Sequence, residues 1–254
     1  MQSRTYDTRF TTNFEYINKD LSGKQKFTIL YTHGFCSDPW GRKPEEVKKW
    51  CLKHNIPMYR YELAGHGSDM ARFEETDINI WKAQILEIID KYIAGDIVLV
   101  GSSLGGWLSL IAAINRPTRI KGLIGLAAAP DFTVEHMKYI TPEQKAEMEK
   151  FGKITYQGEN ITFVVTKRLI DSGNDNLILN KDIIPIKCPM VLIQGMKDTS
   201  VDWHKALMIA QKAQSENVIL KLLKNAGHRL NDDEHIAEIL SALDTFCSFK
   251  YSRG

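Results

Sequence analysis

No stretch of the 254 residues approaches the roughly 18 unbroken apolar positions that a membrane-spanning helix needs, so no integral span is expected. Cysteine is scarce. Cys36, Cys51, Cys188 and Cys247 lie far apart, which argues against a small disulfide-stapled fold and fits reduced thiols. Neither sign of charge is in excess: 33 basic residues face 31 acidic ones, a formal net charge of +2, and the two are interspersed. A protein that lives on phosphate contacts gathers its Lys and Arg, so no nucleic-acid partner is expected. Internal repeats and low-complexity tracts are missing too, which removes solenoids and disordered linkers. The first ten residues, Met1 to Phe10, carry no apolar signal region and do not read as a transit peptide. A cytoplasmic location is the expectation. What the chain does have is 43% apolar residues, enough to bury a full core in one domain over 1–254.

Those apolar residues fall in short runs that stop at glycine. Phe27–Thr32 ends at His33-Gly34, Met58–Leu63 at Ala64-Gly65, Ile97–Val100 at Gly101, and Met190–Ile193 at Gln194-Gly195. Ile120–Leu126 runs into three alanines and Pro130, and Val218–Leu223 precedes Ala226-Gly227. Continuous runs of this kind suit strands covered on both faces of a parallel sheet. Helical patterns fill the gaps: Pro44–His54, Asp77–Ala94, Leu104–Asn115, Ser200–Gln214 and Asp232–Cys247. In the second, Ile78, Trp81, Ile85, Ile88, Ile89 and Tyr92 form one apolar stripe, and Asp77 is placed to cap it. The third is apolar almost all round and should be buried. Strand–helix alternation predicts an α/β fold with a mostly parallel, doubly wound sheet, and segments near Phe10 and Phe14–Ile17 can add antiparallel strands. Residues 131–187 break the alternation. They hold helical pieces, a Thr141-Pro142-Glu143-Gln144 capping box and a polar patch at Ser172–Asn176, and are expected to form a small inserted cap.

Chemistry concentrates at Gly101-Ser102-Ser103-Leu104-Gly105, a G-x-S-x-G pattern directly between a strand and a buried helix. A sharp turn there lifts Ser103 above the sheet as a nucleophile, the glycines admit neighbouring backbone, and the helix N-terminus offers free N–H groups. Ser102 is a turn residue. A serine nucleophile needs a base and an orienting acid, in the order Ser, acid, His along such a chain. His204, His228 and His235 follow a late strand; His204 and His235 sit in helical patterns, whereas His228 hangs in a loop after the last strand, where a base can reach Ser103. Asp198 lies just past Met190–Ile193 and is the expected acid, with Asp202 as its rival, although Asp202 has a ready role at the start of the next helix. The backbone N–H groups of Phe35 and Leu104 are the expected oxyanion donors, with His33 positioning the Phe35 loop. Cys51 and His54 share a helical face, but no second pair accompanies them, so a structural cysteine and a surface histidine are favoured over a metal site. No metal and no organic cofactor is called for.

Taken together, the His33-Gly34-Phe35 segment, the Gly65-His66-Gly67-Ser68 turn, the elbow, Asp198 and Gly227-His228 resemble the α/β-hydrolase superfamily, over nearly the whole chain. Many members carry Asp where Glu62 stands here. Val100 to Leu108, Gly195 to Asp198 with Val201, Trp203 and His204, and the His228-Arg229 pair are similar to a narrower group, the mitochondrial α/β-hydrolase-domain acyl-protein thioesterases that are also acyl-glucuronide esterases. That group has Pro at the position of Asp202 and carries a transit peptide, so a bacterial or otherwise cytoplasmic relative is expected. The resemblance implies a serine hydrolase cleaving carboxylic esters or acyl thioesters of small molecules or acyl-proteins through Ser103, His228 and Asp198. An acyltransferase or peptidase on the same residues is the alternative enzyme, and a non-catalytic binding module the alternative outside enzymes. Phe132, Val134, Met137, Tyr139, Ile140, Met148 and Phe151 are expected partly to anchor the cap and partly to line an apolar acyl channel that Trp107 and Phe35 narrow.

Overall fold

The computed structural model describes residues 2–7, 9–157 and 162–248. The chain opens with β1 (Gln2–Tyr6) and β2 (Phe10–Ile17), an antiparallel pair. Then come β3 (Thr28–Thr32), α1 (Arg42–Lys53), β4 (Met58–Tyr61), α2 (Ile78–Lys91), β5 (Ile97–Ser102), α3 (Leu104–Asn115) and β6 (Ile120–Leu126). After an interruption the alternation resumes with β9 (Met190–Gly195), α7 (His204–Lys212), β10 (Val218–Leu223) and α8 (Asp233–Ser248). The interruption holds α4 (Phe132–Tyr139), α5 (Pro142–Phe151), the antiparallel hairpin β7 (Lys153–Gln157) and β8 (Thr162–Thr166), and α6 (Lys167–Asn174).

Among the described residues the main sheet runs β1-β2-β4-β3-β5-β6-β9-β10, parallel from β4 to β10. Strand period two splits its residues between two cores. Ile29, Tyr31, Val98, Val100, Ile124 and Leu126 pack on one face with Val47 and Trp50 of α1 and Ile239, Leu243 and Phe246 of α8. Leu30, Leu99, Leu123 and Leu192 pack on the other with Trp81 and Ile85 of α2 and Trp107 and Leu110 of α3. Being covered twice is why these strands read as continuous apolar runs. As expected, α3 is buried from Leu104 to Ala113. The α2 stripe holds from Ile78 to Ile89, but Tyr92 lies just past the helix, exposed, under the Arg4 guanidinium. No helix among the described residues is long and apolar enough to cross a membrane.

One difference from the sequence expectation has a local cause. Helix α7 starts at His204, not near Ser200, because the N–H groups of Ser200 and Val201 donate to Asp198 Oδ1 and hold that stretch as a turn. The polar patch at 172–176 lies at the end of α6 and is built into the fold. Ser172 and Asn176 are buried: Ser172 Oγ accepts from Ile78 N–H, and Asn176 bonds Asn79 while its carbonyl accepts from Trp107 Nε1, which fastens this segment to α2 and α3. Gly173 closes the same seam, since a Cβ there would lie 2.3 Å from Thr133 Oγ1.

Strand order decides where a site can form. The chain leaves β3 toward β4 on one side and returns to β5 on the other, so the loops after β3 and β5 diverge and open a crevice at the strand ends.

Candidate active site

Ser103 occupies the turn between β5 and α3 with φ 56 and ψ −117, a conformation costing on the order of 1–3 kcal/mol for a residue with a Cβ. The close packing around it excludes larger neighbours. A Cβ on Gly101 would come 2.3 Å from the Gly105 carbonyl oxygen, and one on Gly105 would come 2.1 Å from that of Thr32. The turn is pinned by Ser103 N–H donating to Leu126 O at 2.9 Å.

The other two expected side chains arrive from the ends of β9 and β10. His228 Nε2 is 3.1 Å from Ser103 Oγ, and His228 Nδ1 is 2.8 Å from Asp198 Oδ2. The Asp198 side chain has no exposed surface. Burial by itself pushes its carboxyl upward; the hydrogen bonds from His228 and from the Val201 and Ser200 N–H groups outweigh that and hold it below the usual carboxylate range. Asp202 stands apart, 60% exposed, with its carboxylate on His204 N–H and 2.7 Å from His204 Nδ1. It stands just ahead of α7, whose N-cap is Trp203. His235 lies in α8, away from Ser103 in the fold. The loop carrying His228 is tied to α1, where Lys43 Nζ donates to the Arg229 carbonyl and Arg42 to that of Asn231.

One residue escaped the sequence reading. Gln194, fully buried at the end of β9, donates through Nε2 to Asp198 Oδ2 at 2.8 Å, so four donors hold that carboxylate. An amide inside an otherwise apolar strand was the available signal, because such a group is buried only when it has something to bond. Removing a hydrogen bond to a charged group costs about 1.5–3 kcal/mol. Gln194→Leu is therefore expected to lower kcat by roughly tenfold or more with little change in KM; unchanged kcat in steady-state kinetics would show that the backbone donors suffice.

The loop after β3 lies against the serine: a Cβ on Gly34 would be 3.2 Å from Ser103 Cβ. The Phe35 and Leu104 N–H groups have no hydrogen-bond partner among the described residues. His33 sets this loop, with Nε2 accepting from Leu63 N–H at 2.9 Å and Nδ1–H donating to Gly34 O at 2.8 Å. It is buried and lies against buried His66. Burial lowers His33 to about 4, and burial with the neighbouring His33 lowers His66 to about 3. Both stay neutral in the fold, where the unfolded chain would protonate them from about pH 6.5 downward. Their contribution is thus complete above that pH and fades as pH falls toward their folded values. By pH 5 the loss should be on the order of 2 kcal/mol for each. Urea midpoints should fall steeply between pH 6.5 and 5, and less so in His66→Phe; a flat profile would contradict the buried neutral pair.

Glu62, where Asp was the more familiar residue, accepts from Ser68 Oγ at 2.7 Å, Asn13 N–H at 3.1 Å and Trp40 Nε1 at 3.2 Å, so it braces the Gly65–Ser68 turn. Gly65 and Gly67 have φ of +67 and +57, as that turn demands. Cys51 is buried, and His54 Nδ1 bonds the Trp50 carbonyl.

The named cap side chains divide between the core and the surface. Tyr139 and Phe151 are 83% and 62% exposed, while Met148 is buried in the core and Trp107 is wholly covered. A cavity of about 640 Å³ has Phe132 and Tyr139 of that set in its lining, together with polar groups that include Glu135, His136, Gln144, Asp198 and Asp202. Sequence pattern could not separate cap residues that pack inward from those left outside, because α4 and α5 are short and weakly periodic.

A strained serine at a strand–helix elbow, in a crevice at the ends of a doubly wound sheet, defines a hydrolase with the α/β-hydrolase fold. Residues 29–242 match the model of the alpha/beta hydrolase family. The human palmitoyl-protein thioesterase ABHD10, mitochondrial, is 33% identical over 230 residues, covering 89% of this chain and 74% of that protein. The solved structure of mouse alpha/beta hydrolase domain-containing protein 10 superposes with a TM-score of 0.85 at 28% identity, covering 97% of each chain. A putative hydrolase from Agrobacterium vitis S4 gives a TM-score of 0.86 at 23% identity over 96% of each chain, a likeness of fold alone. The chain belongs to the alpha/beta hydrolase family, and it is an enzyme of the hydrolase class.

The human, bovine and rat relatives are all named as mitochondrial, which overturns the cytoplasmic location expected from the sequence. Separated reduced cysteines and a near-neutral charge suit any reducing compartment and do not single out the cytoplasm.

Proposed function

We propose that the protein hydrolyses carboxylic esters or acyl thioesters through a Ser103–His228–Asp198 triad and an acyl-enzyme. The observation that carries this is the unbroken chain of contacts from Ser103 Oγ through the His228 ring to the buried Asp198 carboxylate, at 3.1 and 2.8 Å. In the first half-reaction Ser103 Oγ attacks the acyl carbon while His228 Nε2 takes its proton. Asp198 keeps Nδ1–H in place and stabilises the imidazolium without taking the proton. Negative charge grows on the carbonyl oxygen, where the free N–H groups of Phe35 and Leu104 receive it. His228 then returns the proton to the departing alcohol or thiol. Water, activated by the same imidazole, releases the acid from Ser103.

Residues 131–187 act in this scheme as a cap over one 254-residue domain. Its Phe132 touches both Phe35 and Trp107, at ring distances of 5.6 and 5.7 Å, so the cap reaches the oxyanion loop. The relatives named as thioesterases favour acyl substrates, acyl-proteins among them. A matched set sharing one acyl group tests the assignment: p-nitrophenyl ester, S-acyl thioester and anilide, each with and without glycerol as acceptor. Ester or thioester turnover is expected, with release of free acid. Preferential anilide cleavage would indicate a peptidase, and transfer to glycerol an acyltransferase.

A further inference from the structure

The cavity beside Asp198 is poorly suited to an acyl chain. Its walls are α4 with Glu135, His136 and Tyr139, then Gln144 and Tyr156, and across from them Asp198, Thr199, Ser200 and Asp202. Sinking methylenes among these groups would strip water from carboxylates and hydroxyls without replacing their hydrogen bonds. Among its walls are Asp198, the partner of His228, and Phe132, whose ring lies 5.6 Å from that of Phe35, so it adjoins the catalytic residues.

The charges facing it are uneven. Asp198 is committed to His228. Glu135 meets Lys205 Nζ at 3.0 Å, and that amine is almost fully buried and also donates to the Pro130 carbonyl at 2.7 Å. Asp202 bonds His204 and also feels the charge of Lys205, and 60% of its side chain remains exposed. The hydrogen bonds from His204 hold its carboxyl below the usual range, so it is ionised at neutral pH. Three aromatic rings, Phe132, Tyr139 and Tyr156, share this wall with the carboxylates, and Tyr156 is fixed with its hydroxyl 2.9 Å from His136 Nε2. Aromatic faces and carboxylates around one space, with the nearby lysine already committed, make up the chemistry that recognises an ammonium group and repels an anion.

We propose that this groove is a leaving-group subsite for a cationic alcohol or thiol, deepening the hydrolase reading above and resting on it. Two sources fit that chemistry: a small ammonium-bearing alcohol, or a lysine or arginine beside an acylated cysteine in a peptide.

Two pairs of substrates test it, each with one octanoyl group and measured at low ionic strength. The first compares octanoylcholine with its carbon isostere, where tert-butyl replaces trimethylammonium. The second compares S-octanoyl peptides bearing Lys or Glu next to the acylated cysteine. Partly exposed pairs of this kind are worth up to about tenfold, so kcat/KM should favour the cationic member by roughly threefold to tenfold, and the preference should shrink with salt. Asp202→Asn and Tyr139→Ala should each reduce that ratio while leaving p-nitrophenyl octanoate turnover near wild type. Preference in the first pair alone identifies a small alcohol, and in the second alone a peptide. Equal rates within both pairs, or faster cleavage of the anionic peptide, would overturn the subsite while leaving the hydrolase assignment intact. Failure to turn over p-nitrophenyl octanoate would strike that assignment itself, and the subsite with it.

Discussion

Ser103→Ala is expected to yield a folded protein whose kcat falls by on the order of 10⁶, with no fluorophosphonate adduct. Alanine keeps the Cβ and the same strained backbone, so the variant should match wild type in its urea midpoint. Ser103→Gly should be equally inactive and more stable, by up to about 1 kcal/mol, because glycine adopts positive φ at little cost. Ser102, paired in β5 opposite Leu126, has no part in the contact chain, and Ser102→Ala should retain turnover and labelling. Undiminished labelling of Ser103→Ala would move the nucleophile elsewhere.

The second large effect belongs to the acid. Asp198→Asn preserves shape, yet its amide cannot stabilise the imidazolium and presents a donor where His228 Nδ1–H needs an acceptor. A fall in kcat on the order of 10³–10⁴ is expected, by analogy with other triads. Asp202→Asn should stay within a few-fold of wild type on a neutral ester, since its carboxylate faces His204 and solvent. The reverse ranking of the two variants in steady-state kinetics would make Asp202 the acid. Asp198 also accepts the N–H groups that keep 198–201 out of α7, so its asparagine variant should lose some stability as well.

What could be read beforehand follows from where information is local. The doubly wound sheet was legible because strands covered on both faces, such as Met190–Gly195, are rich in apolar residues; Ile120–Leu126 matches its strand end to end, and so does the edge strand Val218–Leu223, although Lys221 interrupts it and Ile219 and Leu222 are exposed. The elbow was legible because its glycines are demanded by contacts of little more than 2 Å, which no other residue survives. Asp198 lies against His228 whereas Asp202 lies against His204, and chain order had already placed the first beside the strand end. The cap resisted. Its β7–β8 pair, with Lys153 opposite Thr166, was passed over: Lys153–Gln157 alternates polar and apolar residues, but over only five positions, and Thr162–Thr166 does not alternate. The polar patch at 172–176 gave no sign of its role because Ser172 and Asn176 find partners about a hundred positions away, on α2. Gln194 was passed over for the same reason: its meaning lies in a carboxylate that comes to rest against it only in the fold. The location was misjudged because composition reports redox conditions, not address.

The central claim is that acyl groups pass through Ser103. Peptide mapping by mass spectrometry, after brief incubation with a fluorophosphonate and separately with a slowly deacylating p-nitrophenyl ester, addresses it most directly. Both reagents should leave one covalent mass addition, on the Ser103 hydroxyl, and neither should mark His228→Ala at a comparable rate. An adduct on Ser102 or Cys36, or ester turnover with Ser103 left unmodified by the fluorophosphonate, would contradict it.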